Sequence, residues 1–384
     1  MKTTLLTADI AECQVSFNIN FIKEFNARQN EQLEVVDVNL SSVDEIRKKC
    51  SQSDILIILS YILYLSRFSN ENKFLLTADR KRDFYKTILE VISTSSACKI
   101  FYTYSHDLHH TYLKTGRKYF EDFFSNVDAI AWPYEKEPVS WEVIPEQYRD
   151  EWMNSSVKNY DDPKKNWEWL RAVSPVRIEV PYALASHEFL PHQVSYHWDA
   201  CVAGAPYNTR RMAQNSILEA GLSLAPYHQL DQLFGGIANI DQSWGKHFHI
   251  HLRRMTQKFC VSHSKVNFVC GSGIKYPIFK FFEIPALNSV LLAYPCNGFE
   301  DFGFKDGVNC IITTPEDAGK DANRIINNNN LSESIKQNAM QLMYDQHTIC
   351  KRVSDFIKCC TLVYKGKLKS AQFKNGQYII DTNA

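Results

Sequence analysis

Short apolar runs of strand length alternate with helical stretches through the first third of the chain, and this alternation restricts the fold more than any other feature. The runs are Thr3–Ala8, Leu33–Leu40, Ile55–Leu59, Lys99–Tyr104 and Ala129–Trp132. Between them the apolar spacing predicts helices over Val15–Arg28, Val43–Cys50, Arg80–Thr94 and His110–Ser125. Strands separated by a helix run parallel through right-handed crossovers, because a tight turn joins only antiparallel neighbours. The expected fold class is α/β, with doubly wound parallel sheets covered by helices on both faces. Ligands of such sheets gather at the carboxyl ends of the strands.

The pattern returns further on. Val176–Val180 reads as a strand, and Asp199-Ala200-Cys201-Val202-Ala203-Gly204 as another that runs into a glycine turn. A helix follows from Thr209-Arg210-Arg211 to Glu219, then strands over Ser223–Ala225, Ser264–Cys270 and Ser289–Ala293, with a helix over Phe279–Ala286 ending near Asn288. A chain of 384 residues is long for one core and comfortable for two. The expected division is a first Rossmann-like domain over 1–180, a second over 181–360, and a tail over 361–384 with a hairpin about Lys374-Asn375-Gly376. Residues 133–176, with Pro133, Pro138, Pro145, Pro163 and the tryptophans Trp141, Trp152, Trp167 and Trp169, break the alternation as an irregular insertion.

Composition excludes several classes. Lys plus Arg and Asp plus Glu each number 43, so no net field points to nucleic acid. The longest apolar run, Ile55–Leu65, is too short to cross a bilayer, and the first residues lack the pattern of a signal peptide. Eleven cysteines without a C-x-x-C pair read as reduced thiols, and a cytoplasmic location is expected. His247, His249 and His251 would share a face on a strand, but the following Arg253-Arg254-Met255 favours a helix, so no metal is expected. After the first strand Ala8-Asp9-Ile10-Ala11-Glu12 carries no G-x-G-x-x-G, which removes the main support for a dinucleotide cofactor.

Three loops hold candidate chemistry. The turn at Gly204 ahead of Arg210 and Arg211 suits an anion, since free amides, the helix dipole and the arginines all favour negative charge. The alternative is that the arginines pair on a surface helix. Asn297 and Gly298 follow the strand Ser289–Ala293 where a crevice would open. His106 and Asp107 follow the strand Lys99–Tyr104; Asp107 is either a helix cap beside solvated histidines or part of a catalytic or acceptor-binding edge.

The order Lys280, Glu283, Ala286, Ser289–Ala293, Asn297-Gly298 resembles the nucleotide-sugar glycosyltransferases of group 1, particularly their spore-maturation-type, CgeB-like branch. The likeness continues through Phe304–Ile312, a helix over Pro315–Asn328, and His347-Thr348 upstream of Arg352, covering most of the second half. It implies the GT-B architecture: two Rossmann-like domains facing across a cleft, the first on the acceptor side and the second holding a nucleotide-sugar donor. Gly204, Arg210, Arg211, Lys280, Glu283, Asn297 and Gly298 would bind the donor, with Glu283 accepting from the ribose hydroxyls. The nucleotide sugar is then substrate, no separate cofactor or metal is needed, and the acceptor is a glycan, a lipid-linked glycan or a protein, with peripheral membrane contact compatible. Asp107 or His106 would serve as base toward the acceptor hydroxyl. On this reading residues 133–176 are an acceptor lid with tryptophans for sugar rings, or else a linker packed by its own tryptophans. Retaining members of the family carry a second glutamate eight positions before the first, where this chain has Lys275. Two rival readings follow: a non-catalytic nucleotide- or sugar-binding protein, and a nucleotide-sugar epimerase on the same architecture.

Overall fold

A computed structural model describes residues 1–7, 16–29, 33–38, 40–59, 62, 78–103, 123–133, 135–149, 162–174, 176–190, 194–230, 232, 245–271, 273 and 275–383. The strands of the first half are β1 (Thr3–Thr7), β2 (Leu33–Asp37), β3 (Ile55–Leu59), β4 (Cys98–Tyr102), β5 (Ala129–Trp132) and β6 (Arg177–Glu179). Those of the second are β7 (Trp198–Cys201), β8 (Ser264–Cys270), β9 (Val290–Tyr294) and β10 (Ile311–Ile312), and a terminal pair, β11 (Leu368–Lys374) and β12 (Gln377–Thr382), completes the set. The helices are α1 (Ser16–Gln29), α2 (Val43–Ser51), α3 (Ala78–Thr94), α4 (Pro163–Val173), α5 (Asn208–Glu219), α6 (Gly245–Ser262), α7 (Lys280–Ala286), α8 (Ala318–Ile326), α9 (Asn329–Gln346) and α10 (Ile349–Tyr364).

Two sheets result. One has the order β2-β1-β3-β4-β5-β6-β11-β12 and the other β7-β8-β9-β10. All pairings are parallel except the terminal hairpin β11–β12. Both faces of the first sheet are covered, as parallel strands require: Leu5, Ile57 and Ile100 pack with Phe21 and Phe25 of α1, while their neighbours Leu6, Ile58 and Phe101 pack with Ile46 of α2 and Ile88 of α3. The expected α/β class with Rossmann-like sheets is therefore what the chain forms.

The chain passes between the halves twice, and the two passes lie side by side. Leu184 donates its amide to His347 O at 2.9 Å, and Ile349 donates to Leu184 O at 2.8 Å. Beyond this point α10 returns to the first sheet, setting Phe356 edge-on to Phe21, Phe25 and Tyr102. The tail does form a hairpin, with Asn375 and Gly376 at φ 51 and 80°, the left-handed pair that a two-residue turn needs. Alternation was expected from Thr361, yet the helix runs to Tyr364, because Val353, Phe356, Cys360 and Val363 continue one buried stripe at helical spacing. The hairpin extends the first sheet by pairing β11 with β6, and its tip reaches the second half, where Gly376 donates to Asp301 O at 2.9 Å.

Other local differences have equally local causes. Ser223–Ala225 contributes a single bridge, Leu224 to Ala200, and the strand after Phe304 is reduced to Ile311–Ile312. Pro315 precedes its helix, which begins at Ala318 after Thr314 Oγ1 accepts from the Asp317 amide at 3.2 Å. Within 133–176 the described residues include α4, capped by Asp162, whose carboxylate accepts from the Lys164 amide at 2.9 Å. Trp167 stacks on the buried Trp132 and Trp169 meets Phe124 edge-on, so these two tryptophans pack inward.

Candidate functional site

The carboxyl edge of the second sheet collects the charged residues that the sequence singles out. After β7 the chain turns through Gly204, at φ 115°, into the first turn of α5, which no side chain caps. Arg210 folds back over this turn. Its Nη1 donates to Ala205 O at 2.8 Å, its Nη2 to Cys270 O at 3.3 Å, and its guanidinium lies 4.7 Å from the Tyr207 ring centre. Arg210 is 4 % exposed, and its Nε has no partner among the described residues. A Cβ on Gly204 would stand 2.7 Å from Nη1, so the glycine makes room for the guanidinium as well as supplying the turn. Arg211, next in the helix, is exposed.

Lys280 opens α7 and Glu283 follows one turn later; both are half-buried. Burial lowers the Lys280 pKa to about 8, with further lowering from the positive charges of Arg210 and Arg253 and partial opposition from Glu283. Among the described residues no hydrogen bond or ion pair ties its ammonium. The Glu283 carboxyl is raised by burial, opposed by Lys280 and by a hydrogen bond from Gln257 Nε2 to Oε2 at 2.8 Å. Lys280 feels the positive charges of Arg210 and Arg253 and the single negative charge of Glu283, so an added anion beside it lowers the energy.

Asn297 and Gly298 lie elsewhere, on the seam between the halves. Asn297 Nδ2 donates to Glu137 O at 2.6 Å, and Gly298, at φ 70°, has the Lys136 side chain where a Cβ would project. Lys136 continues to Asp301 at 2.7 Å. Sequence reasoning missed this contact, and it also missed the segment that follows. Tyr148 donates its hydroxyl to Glu316, with Oε1 at 2.9 and Oε2 at 3.1 Å, and its ring meets Tyr294 edge-on. Asn208 Nδ2 donates to Arg149 O, and Gly273 leaves space for Ile144. Residues 141–149 of the first half thus rest on the ends of β8, β9 and α5.

Lys275, at φ 59°, holds its ammonium 4.8 Å from the Tyr294 ring centre. At the crossing between halves, fully buried His347 bonds Phe302 O through Nε2 at 2.8 Å, and Arg352 Nη2 is 3.4 Å from its Nδ1. Burial, and then the charge of Arg352, lower the His347 pKa to about 3. Glu179, at the carboxyl end of β6, accepts from the amides of Glu135 at 3.3 Å and Phe373 at 2.6 Å, and burial raises its pKa to about 7. His106 and Asp107 lie outside the described residues. His247, His249 and His251 fall within the helix α6, and among the described residues no cluster of three metal-binding side chains occurs.

No protein-family model and no curated protein matches this sequence. Among solved structures the chain is similar to HepE from Anabaena, in complex with UDP and glucose, with a TM-score of 0.53 and 9 % identity over 94 % of this chain and 99 % of that one. It is equally similar to the DNA-modifying enzyme beta-glucosyltransferase, solved in the presence and absence of uridine diphosphoglucose: TM-score 0.53, 10 % identity, covering 94 % and 100 %. No membrane-crossing helix occurs among the described residues. At such identities the likeness is one of fold, and the fold is the GT-B arrangement of two Rossmann-like α/β domains.

Proposed function

We propose that this protein is a metal-independent glycosyltransferase that moves a sugar, in the first instance a hexose, from a nucleotide-sugar donor to a glycan, lipid-linked or protein acceptor. The observation that carries the reading is the half-buried Lys280 beside Arg210, a positive charge that no hydrogen bond or ion pair ties among the described residues, with Glu283 one turn along. The fold shared with HepE and beta-glucosyltransferase supports it, and the uridine diphosphoglucose used by the latter makes UDP-glucose the first donor to try. The order of motifs in the second half supports the finer assignment to the CgeB-like branch, and the cysteine content supports a cytoplasmic setting.

In the transfer, the acceptor oxygen bonds to the anomeric carbon as the bond from that carbon to the diphosphate oxygen breaks. The acceptor proton passes to a base, for which His106 and Asp107 are the candidates, and the diphosphate leaves as an anion. Lys280, Arg210 and the amides of the Gly204 turn are the groups that would stabilise that anion, in a site where their dipoles are already oriented. Arg211 and the Asn297-Gly298 turn remain donor-site candidates, the latter reachable once Lys136 moves aside.

Lys275, in the position of the family's second glutamate, favours a binding protein without turnover as the second reading. Incubation with UDP-glucose separates these and the epimerase reading: slow release of glucose and UDP marks a transferase, binding without product marks the pure binder, and conversion of the nucleotide sugar marks an epimerase. Glu283→Ala is expected to lower nucleotide affinity at least tenfold, since a charged hydrogen-bond acceptor is lost. Unchanged affinity, measured by calorimetry, removes the donor assignment.

A further inference from the structure

Helix α6 turns Thr256 and Cys260 inward, 8 and 0 % exposed, and leaves Met255 and Phe259, one helical turn apart, 55 and 45 % exposed. Rings hold Phe259 in this outward position. Its own ring centre lies 4.2 Å from that of His263, 5.8 Å from Trp198, met edge-on, and 6.1 Å from His197, which stacks on His263 at 5.1 Å. Single exposed apolar side chains are ordinary, but here two of them adjoin an indole and two imidazoles in one patch. The helix that bears the patch holds Lys246, Arg253, Arg254 and Lys258 and no acidic residue. At helical spacing Arg254 and Lys258 border the Met255–Phe259 strip along one side.

Charge and shape decide what suits this face. A second copy would set two basic helices against each other, and like charges at a contact repel. An acidic peptide needs a groove, whereas the outer side of a helix is convex. A bilayer with anionic headgroups answers both features: its surface charge attracts the lysine and arginines, and its acyl boundary takes up the methionine and phenylalanine. Indole and imidazole rings, apolar with a polar tip, suit the headgroup level between. We propose that α6, together with Trp198 and His263, seats the second half on an anionic lipid surface. Gln257 points to the other side of the helix, toward Glu283, so the candidate donor site stands about 10 Å, one helix diameter, behind the seated face. The seat is independent of the donor reading, since it needs no nucleotide.

The test is co-sedimentation of the full chain with vesicles of phosphatidylcholine alone and of phosphatidylcholine mixed with phosphatidylglycerol, without nucleotide. Wild type is expected to bind the anionic vesicles at least tenfold more tightly than the neutral ones. Raising the ionic strength from about 0.1 M to about 1 M should remove most of that difference, because the screening length shrinks to about 3 Å. Met255→Ser combined with Phe259→Ser should weaken anionic binding more than tenfold, with an unchanged circular dichroism spectrum. Lys258→Gln should weaken it about fivefold and leave binding to neutral vesicles as it was. Should the double variant unfold, Met255→Ser alone and Lys258→Gln carry the test. Light scattering without lipid reads the rival occupant. Wild type that ignores both vesicle types, binds both alike, or binds undiminished after the substitutions overturns the inference, as does a dimer that the double variant dissolves. Each of these outcomes leaves the nucleotide-donor reading where it stood.

Discussion

Lys280 offers the deepest test of the proposed donor site. Burial first, and the charge of Arg210 second, bring its pKa from 10.5 to about 8 in the ligand-free protein. A shift of that size corresponds to a charging penalty of about 3 kcal/mol. A diphosphate lodged between Lys280 and Arg210 supplies the missing negative charge and returns the lysine to its ordinary range. The free protein then loses this proton near pH 8, while the complex holds it to above about pH 10. Below pH 8 both states are protonated and affinity is independent of this group. Above it each binding event takes up one proton, and Kd rises by about tenfold per pH unit, to a total of about a hundredfold. Calorimetry with the preferred nucleoside diphosphate, in paired buffers of different ionisation heat, reads both quantities. Proton uptake should be about a quarter of a proton at about pH 7.5 and approach one at about pH 9, and Lys280→Met should bind weakly with no such dependence. Equal Kd at both pH values, without proton uptake at the higher one, refutes the idea that Lys280 faces the phosphates.

Two other perturbations follow from the geometry. Gly204→Ala forces a Cβ to 2.7 Å from the Arg210 guanidinium at a φ of 115°, so urea unfolding should show a loss of about 1–2 kcal/mol, with weaker nucleotide binding as Arg210 is displaced; wild-type values for both would remove the steric argument. Glu179 is held protonated up to about pH 7 by burial, from an ordinary value of 4.5, so the folded state loses up to about 3 kcal/mol of relative stability as pH rises between those values. His347, depressed to about 3, acts in the opposite sense, its contribution being lost as pH falls below 6.5, and the two partly cancel in the wild type. Comparison with Glu179→Gln isolates the carboxyl: the variant's melting temperature relative to wild type should climb from about pH 5 to pH 8, whereas a constant difference would count against a proton on Glu179.

Much of the fold was legible because its signals are local. The doubly buried strands β1, β3 and β5 announce themselves as unbroken apolar runs, and the terminal hairpin through Asn375-Gly376. Parts of the candidate site carry local marks, where a turn glycine and a cation share a few residues, as at Gly204 and Arg210, or where a carboxylate follows a lysine by one helical turn, as at Glu283. Gln257 gave no such sign, since a single glutamine on a basic helix has no pattern and its partner is 26 residues away. The same holds for Tyr148, which meets Glu316 across 168 residues.

The division is physical. Periodicity and turn chemistry depend on neighbours along the chain, so residues alone determined a parallel α/β protein with a cationic, glycine-lined edge in its second half. The pairing of distant edges depends on which buried surfaces meet after loops close. Only the tertiary structure decided that β11 extends the first sheet beside β6, that Lys136 covers Gly298, and that Gln257 reaches Glu283. Each of these joins segments whose sequences carry no mark of one another, and burial together with the demand for paired polar groups selects the match.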